Sequence, residues 1–340
     1  MTLDNHALEV LEELKKKKAI SENSKIESYT QLQGGADTLM FEISILNQLR
    51  RYIQRIFRST TSNKRAEFEY NIQKTLFENN VNVPETFLIK LTPNSRERPY
   101  YVMEKIEGTR LDHVYYKNPE KLDQFIVMLL QELYKIHSIE PNLFPQILSA
   151  DIQKNPFVSI EQTISRRKDF LDKYPKELSE LKPVIDWLEI NKTENPCKKL
   201  VVTHGDYHSQ NIIVQEDSEL IILDWSNINI CDFREDLGFT AVTLSVGVKK
   251  NLATTIARLY EQISGNKVEN LAYFMILANI FNLLRFYSCA NNPSITNETE
   301  DTMEFFKSIK EYPLFLVELV RDTCDIELRQ IKDYFSDKGK

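Results

Sequence analysis

The stretch Leu200–Asn227 constrains this chain more than any other. It carries three short apolar runs, Leu200–Val202, Ile212–Val214 and Leu220–Leu223, each ending in polar residues. Runs of this length rich in Val and Ile read as strands, so the charged groups fall at strand ends or on connecting loops. His204-Gly205-Asp206 lies between the first two runs, with Asn211 five residues beyond the Asp, and Asp224 closes the third. Two carboxylates and a carboxamide are thus displayed on turns of a strand-rich segment.

That set of groups suits phosphoryl transfer. The reaction needs a carboxylate aimed at the attacking hydroxyl and oxygen ligands for a magnesium ion that bridges the phosphates. Asp206 can supply the first, and Asn211 with Asp224 the second, both being hard oxygen donors. A rival reading takes His204, Asp206 and His208 as the H-x-D-x-H cluster of a zinc or di-metal hydrolase. Such sites recruit three or four ligands per metal. The remaining histidines, His6, His113 and His137, sit in no metal-ligand pair.

The segment His204-Gly205-Asp206-Tyr207-His208-Ser209-Gln210-Asn211 resembles the H-x-D-x-x-x-x-N catalytic loop of the aminoglycoside phosphotransferase and choline kinase-like family. Ile222-Leu223-Asp224-Trp225 resembles the second signature of that family, which stands where protein kinases carry D-F-G. Asp232-Phe233-Arg234-Glu235-Asp236-Leu237 resembles its G-D-P-x-x-D-L segment, with Cys231 in place of Gly and Phe233 in place of Pro. The resemblance spans residues 26–290 and thins over the helices that would bind the acceptor. It implies an α+β, bilobal protein-kinase-like fold: a small antiparallel-sheet N-lobe with one main helix and a larger, mostly helical C-lobe. The expected division is 1–103 for the nucleotide-binding lobe, 104–108 for the hinge and 109–340 for the helical lobe with catalytic loop and acceptor site.

Within that frame each lobe offers candidate residues. Leu39, Phe41, Ile43 and Ile45 alternate with polar neighbours and Met40, which is the period of a half-buried strand. Ahead of them, Gly34-Gly35 resembles the nucleotide-covering loop, where absent side chains let backbone N–H groups approach phosphate. On the strand 52–57 the inward candidates are Ile53, Arg55 and Phe57, and the resemblance gives Arg55 the phosphate-gripping place. Of two acids on the helix 64–79, Glu69 shares a face with Ile72 and Leu76, so it is the one expected to meet Arg55. Tyr100–Gly108 resembles the strand and hinge that bind adenine, with Met103 lining the base pocket and the Glu104 C=O and Ile106 N–H as its partners. Resemblance makes His137 and His204 packing and scaffold residues, and makes Asp236 an acceptor for backbone bonds of the catalytic loop.

The implied activity is transfer of the γ-phosphate of ATP (or GTP), with Mg²⁺, to a hydroxyl of a small molecule. A catalytically decayed nucleotide-binding relative is the alternative, and the metal hydrolase a more distant one. A protein kinase proper is disfavoured by the absence of D-F-G and of A-P-E after Asp224. The acidic run 297–304 would favour a cationic acceptor if it lined the pocket, and reads otherwise as a solvated helix start. The net charge of −7 argues against a nucleic-acid partner. Four scattered cysteines without C-x-x-C suit a reducing cytoplasm. No apolar run is expected to reach transmembrane length, and no signal-peptide core is read at the N-terminus. Further helices are expected at 3–20, 124–137, 159–174, 177–188 and 271–287.

Overall fold

The computed structural model describes residues 3–32, 38–59, 62–92, 97–148, 155–176, 178–215, 219–248, 250–291 and 310–337. Gly34, Gly35 and the acidic run 297–304 lie outside the described residues. The first part of the chain runs α1 (Leu3–Lys16), β1 (Ile26–Leu32), β2 (Thr38–Ile45), β3 (Arg51–Phe57), α2 (Asn63–Glu78), β4 (Thr86–Lys90), β5 (Tyr100–Glu104) and β6 (Thr109–Arg110). It continues with α3 (Leu111–Lys117), α4 (Leu122–His137), α5 (Val158–Lys173), α6 (Lys182–Asn191), β7 (Leu200–Thr203), β8 (Ile212–Val214), β9 (Leu220–Ile222) and β10 (Asn229–Asp232). Helices complete it: α7 (Phe233–Val248), α8 (Ala253–Ser264), α9 (Leu271–Asn291), α10 (Glu311–Cys324) and α11 (Arg329–Asp337).

Two compact units result, Met1–Leu111 with Ile212–Ser226, and Asp112–Asn211 with Asn227–Lys340. The expected division put a hinge at 104–108, whereas the first unit runs through those residues to Leu111 and the chain returns to it over Ile212–Ser226. The cause is local pairing: β8 lies antiparallel to β6, with Thr109 opposite Val214, and the Ile222 N–H donates to the Asn82 carbonyl at 2.8 Å.

The first unit is built on a five-stranded antiparallel sheet in the order β1-β2-β3-β5-β4. Strand alternation divides its residues between two faces. Ile43, Ile45, Tyr52 and Val102 meet Val10, Leu11 and Leu14 of α1 on one face. Ile53, Phe57, Tyr101 and Met103 gather with Ala66 of α2 on the other. The strand period read from Leu39–Ile45 is therefore realised, with Phe41, Ile43 and Ile45 buried. α1 closes at Lys16, where Lys15 and Lys16 pair with Glu12 and Glu13 one turn back, an arrangement of a solvated helix end.

The second unit is a helical assembly around α7 and α9, with the mostly buried two-stranded ribbon β7–β10 packed by α4, α5 and α7. Gly238 lets those helices touch: a Cβ there would sit 2.5 Å from the Phe274 carbonyl carbon. The window Leu271–Ser288 of α9 is long and apolar enough to cross a membrane, contrary to the sequence expectation, and 72% of it is buried inside the unit. It is a core helix by its packing. A second correction concerns 177–188: a 3-10 turn at Ser179–Leu181 precedes α6, and Pro183 occupies the first turn of that helix. Proline is tolerated there because the first N–H groups have no intrahelical acceptor, so Pro183 falls where the helix opens.

Glu235, in the first turn of α7, accepts a hydrogen bond from the Thr163 hydroxyl at 3.3 Å, while its second carboxylate oxygen is buried without a partner among the described residues. Burial pushes its pKa up to about 7, helped by Asp232 and opposed by Arg167 and Arg166. The folded state therefore holds the proton more tightly than the unfolded chain. The associated stability is full below the unfolded carboxyl value and is lost as pH rises toward about 7. Glu235→Gln should remove this slope and raise stability at pH 8 by about 1–3 kcal/mol. Urea unfolding of both proteins at pH 5 and pH 8 measures it; equal slopes would contradict the assignment.

Candidate functional site

In the second unit the chain leaves β7 at Thr203, forms the loop His204–Asn211, and the partner strand β10 starts at Asn229, opposite Thr203. Every turn of that loop is tied down. Asp236 of α7 accepts the His204 N–H at 2.7 Å on one oxygen and the Gly205 N–H at 2.8 Å on the other. Its first oxygen also lies 3.2 Å from His137 Nε2, and His137 Nδ1 is 2.6 Å from the Tyr260 hydroxyl. These contacts fit the roles expected of Asp236 and His137. The Tyr207 hydroxyl donates to the Leu129 carbonyl at 2.9 Å, and the Thr240 hydroxyl donates to the Tyr207 carbonyl at 2.8 Å. Buried polar groups so fully satisfied hold one conformation.

Gly205 is required by both conformation and space. Its φ is +78°, and a Cβ would lie 2.3 Å from the Asn227 carbonyl oxygen. Gly205→Ala should therefore cost more than about 1 kcal/mol and displace Asp206. A melting curve together with a turnover assay checks this, and an unaltered protein by both measures would contradict it.

Asp206 is half-buried in this loop. Asn211 Nδ2 donates to its Oδ2 at 3.2 Å and to its backbone carbonyl at 3.1 Å. His208 Nε2 stands 3.5 Å from its Oδ1. Burial would raise the carboxyl pKa, but hydrogen bonding and charge from His208, with His204 and Asn211, outweigh it and hold the group below its ordinary value. Because Asn211 spends its N–H donors on Asp206, its carbonyl oxygen points elsewhere and has no donor among the described residues. His204 is fully buried, and its Nδ1 accepts the Asp206 N–H at 3.2 Å. No cluster of three or more His, Cys, Asp or Glu placed to hold a metal occurs among the described residues.

The first unit holds the cationic part. Arg55 Nε lies 3.2 Å from Glu69 Oε2, both side chains nearly buried, and Arg55 Nη2 lies 3.6 Å from Asp224 Oδ1. Glu69 also takes Arg65 Nε at 2.9 Å, a pairing one helical turn back on α2. The face argument that selects Glu69 over Glu67 thus matches its position. Asp224 follows β9 with φ +58°, a left-handed conformation uncommon outside glycine, Asn and Asp, and its carboxylate is 40% exposed. At the end of β5 the Glu104 N–H goes to the Glu85 carbonyl (2.8 Å) and the Lys105 N–H to the Arg51 carbonyl (2.9 Å). The next donor, the Ile106 N–H, has no protein acceptor among the described residues. Met103 is buried beside Ile53 and receives Gln73 Nε2 on its sulfur at 3.4 Å.

Three residues escaped the sequence reading. Arg65 was recoverable, because it stands four residues before Glu69. Gln73, which also donates to the Pro84 carbonyl at 2.9 Å, gives no sequence signal beyond its place on the inner helix face. Arg234 is the third: inside the D-L motif, it is one of the largest fully buried side chains of the chain. A cavity of about 620 Å³ in the first unit is bounded by Phe77, Asn82, Glu104, Glu107, Gln215 and Glu219 and touches none of Arg55, Glu69 and Asp224.

The sequence profile of the phosphotransferase enzyme family, APH, matches residues 28–270. The chain belongs to this family. No curated protein sequence matches it. Among solved structures, a protein of Ralstonia eutropha proposed to be an aminoglycoside phosphotransferase superposes with TM-score 0.71 at 14% identity, covering 94% of this chain and 98% of that one. Spectinomycin phosphotransferase in complex with ADP and spectinomycin gives TM-score 0.57 at 16% identity, over 92% and 98% of the two chains. Plasmodium vivax ethanolamine kinase gives TM-score 0.54 at 12% identity, over 90% and 83%. At these identities the likeness establishes the fold: α+β and protein-kinase-like, with an antiparallel-sheet part and a larger helical part.

Proposed function

We propose that this phosphotransferase moves the γ-phosphoryl group of ATP, or GTP, to a hydroxyl of a small molecule with the help of Mg²⁺. The observation that carries the reading is the loop at Asp206. A half-buried carboxylate that stays ionised, with one oxygen held by Asn211, can take the proton of a hydroxyl nucleophile. The proton leaves the acceptor hydroxyl for the Asp206 carboxylate as its oxygen bonds to phosphorus and the bond from phosphorus to the nucleotide's bridging oxygen breaks.

The other residues suit the remaining tasks. Arg55, braced by Glu69, offers a fork for nucleotide phosphate oxygens. The Ile106 N–H, without an acceptor among the described residues, and the Glu104 carbonyl are assigned to the base, over Met103, and Gly34 and Gly35 to the phosphate-covering loop. Asn211 and Asp224 are each assigned to magnesium as hard oxygen donors: the Asn211 carbonyl has no donor among the described residues, and the Asp224 carboxylate is 40% exposed. When bound it neutralises charge on the transferring phosphates. A cytoplasmic location suits a nucleotide-using enzyme with free cysteines at 197, 231 and 324.

The test is ADP release from Mg·ATP and Mg·GTP against aminoglycosides, macrolides, choline, ethanolamine, homoserine and sugars. At least one acceptor should raise release well above the rate with water. Tight Mg·ATP binding without release for any of them would leave a nucleotide-binding relative in its place.

A further inference from the structure

His208 has no part in the assignment above except through its contact with Asp206, and its geometry gives it a definite one. Its Nδ1 accepts the Gln210 N–H at 3.3 Å. A neutral ring nitrogen that accepts a bond carries no proton, so the hydrogen of the neutral imidazole sits on Nε2. That nitrogen is the one 3.5 Å from Asp206 Oδ1. The ring is set against Phe239 of α7, centroids 6.0 Å apart at 58°. Asp206 Oδ2 is taken by Asn211 Nδ2 at 3.2 Å. Each carboxylate oxygen therefore faces one donor, and the two donors stand three residues apart on the same short loop.

We propose that His208 is a positioning residue for the phosphoryl transfer assigned above: its Nε2–H holds Asp206 Oδ1 while Asn211 holds Oδ2, fixing the lone pair offered to the acceptor hydroxyl. A carboxylate held at one oxygen still turns about its Cβ–Cγ bond, and one held at both does not. At 3.5 Å the contact is long for a hydrogen bond, and catalytic contacts commonly tighten to bonding distance in the substrate complex. Orientation matters at this scale because a misplacement of about 1 Å at a reacting group costs on the order of 100-fold in rate. The chemical part of the proposal rests on the phosphotransferase reading, and the hold on Asp206 does not.

Two measurements test it. The first is ADP release from Mg·ATP with water as acceptor, read as kcat and KM, for the wild-type chain and three variants. His208→Ala and His208→Phe should lower kcat roughly 10- to 100-fold with KM for Mg·ATP nearly unchanged. His208→Gln, whose amide N–H has a similar reach, should recover much of the loss. Wild-type kcat in His208→Ala would overturn the proposal. Phe restoring as well as Gln would do the same, since packing on Phe239 would then be the whole effect. The second is a long-range ¹H–¹⁵N spectrum of the labelled chain, where His208 should carry its proton on Nε2. A ring with its proton on Nδ1 and none on Nε2 overturns the hold whether or not any turnover is seen. A wild-type chain that releases no ADP with water or any acceptor overturns the phosphotransferase reading instead, leaving the spectrum to decide the hold.

Discussion

Replacing Asp206 by Asn should lower kcat by about 10²–10⁴-fold while Mg·ATP still binds. The substitution keeps the shape of the side chain and an oxygen for the Asn211 donor, but removes the group that can take a proton. Nucleotide affinity should hold because the residues assigned to phosphate and base, Arg55, Glu69 and Ile106, belong to other segments of the chain. In the wild type the carboxyl is held below its ordinary range against the effect of burial, by His208, His204 and Asn211. Asp206 is therefore ionised through neutral pH, and kcat/KM should fall only on the acid side, as pH drops through that lowered value. Steady-state ADP release and calorimetric Mg·ATP binding of the two proteins separate these effects. Loss of binding in step with turnover would mean that Asp206 serves the nucleotide.

Arg234→Ala should be the most destabilising single change discussed here, by about 3–5 kcal/mol. Arg234 is 2% exposed and forks onto Asp232, Nε to Oδ1 at 2.9 Å and Nη2 to Oδ2 at 2.7 Å. Its remaining donors reach the Pro196 carbonyl at 2.7 Å and the Glu269 carbonyl at 3.2 Å, and its plane lies 4.1 Å from the Phe274 ring centroid. Asp232 is fully buried, so truncating the arginine strands a charge with no solvent to receive it. The cost is the stranded partner more than the lost bond. Arg234→Met combined with Asp232→Leu should thus recover most of the stability, which urea unfolding of the single and double variants would reveal. A double variant as unstable as Arg234→Ala would show that the pair itself, and not its uncompensated half, holds β10 to α7.

What the sequence makes legible follows the range of the interactions. The alternation in β2 and the choice of Glu69 by its helical face are local patterns, fixed by periods of 2.0 and 3.6 residues. The link from Asp236 to the loop at His204 crosses 32 residues, and only the resemblance of motifs reveals it. Where neither applies, the reading stops. Arg234 sits in the D-L motif without any sign that its charge is buried, because its carbonyl acceptors at Pro196 and Glu269 come from distant segments. Strand β10 is short, with Asn229 and Asp232 at its ends, and is strand only because β7 lies beside it. The return of Ile212–Ser226 to the first unit depends on pairing with a two-residue strand, β6, that carries no pattern of its own.

The central claim is that Asp206 takes the proton of an acceptor hydroxyl during direct transfer from the nucleotide. It is tested most directly by following ¹⁸O-labelled γ-phosphoryl from Mg·ATP in wild type and Asp206→Asn side by side. The expected result is a labelled phosphomonoester of the acceptor in the wild type, nearly none in the variant, and no label on the protein in either. Label transferred at equal rates by both proteins, or retained on a side chain of the enzyme, would contradict it.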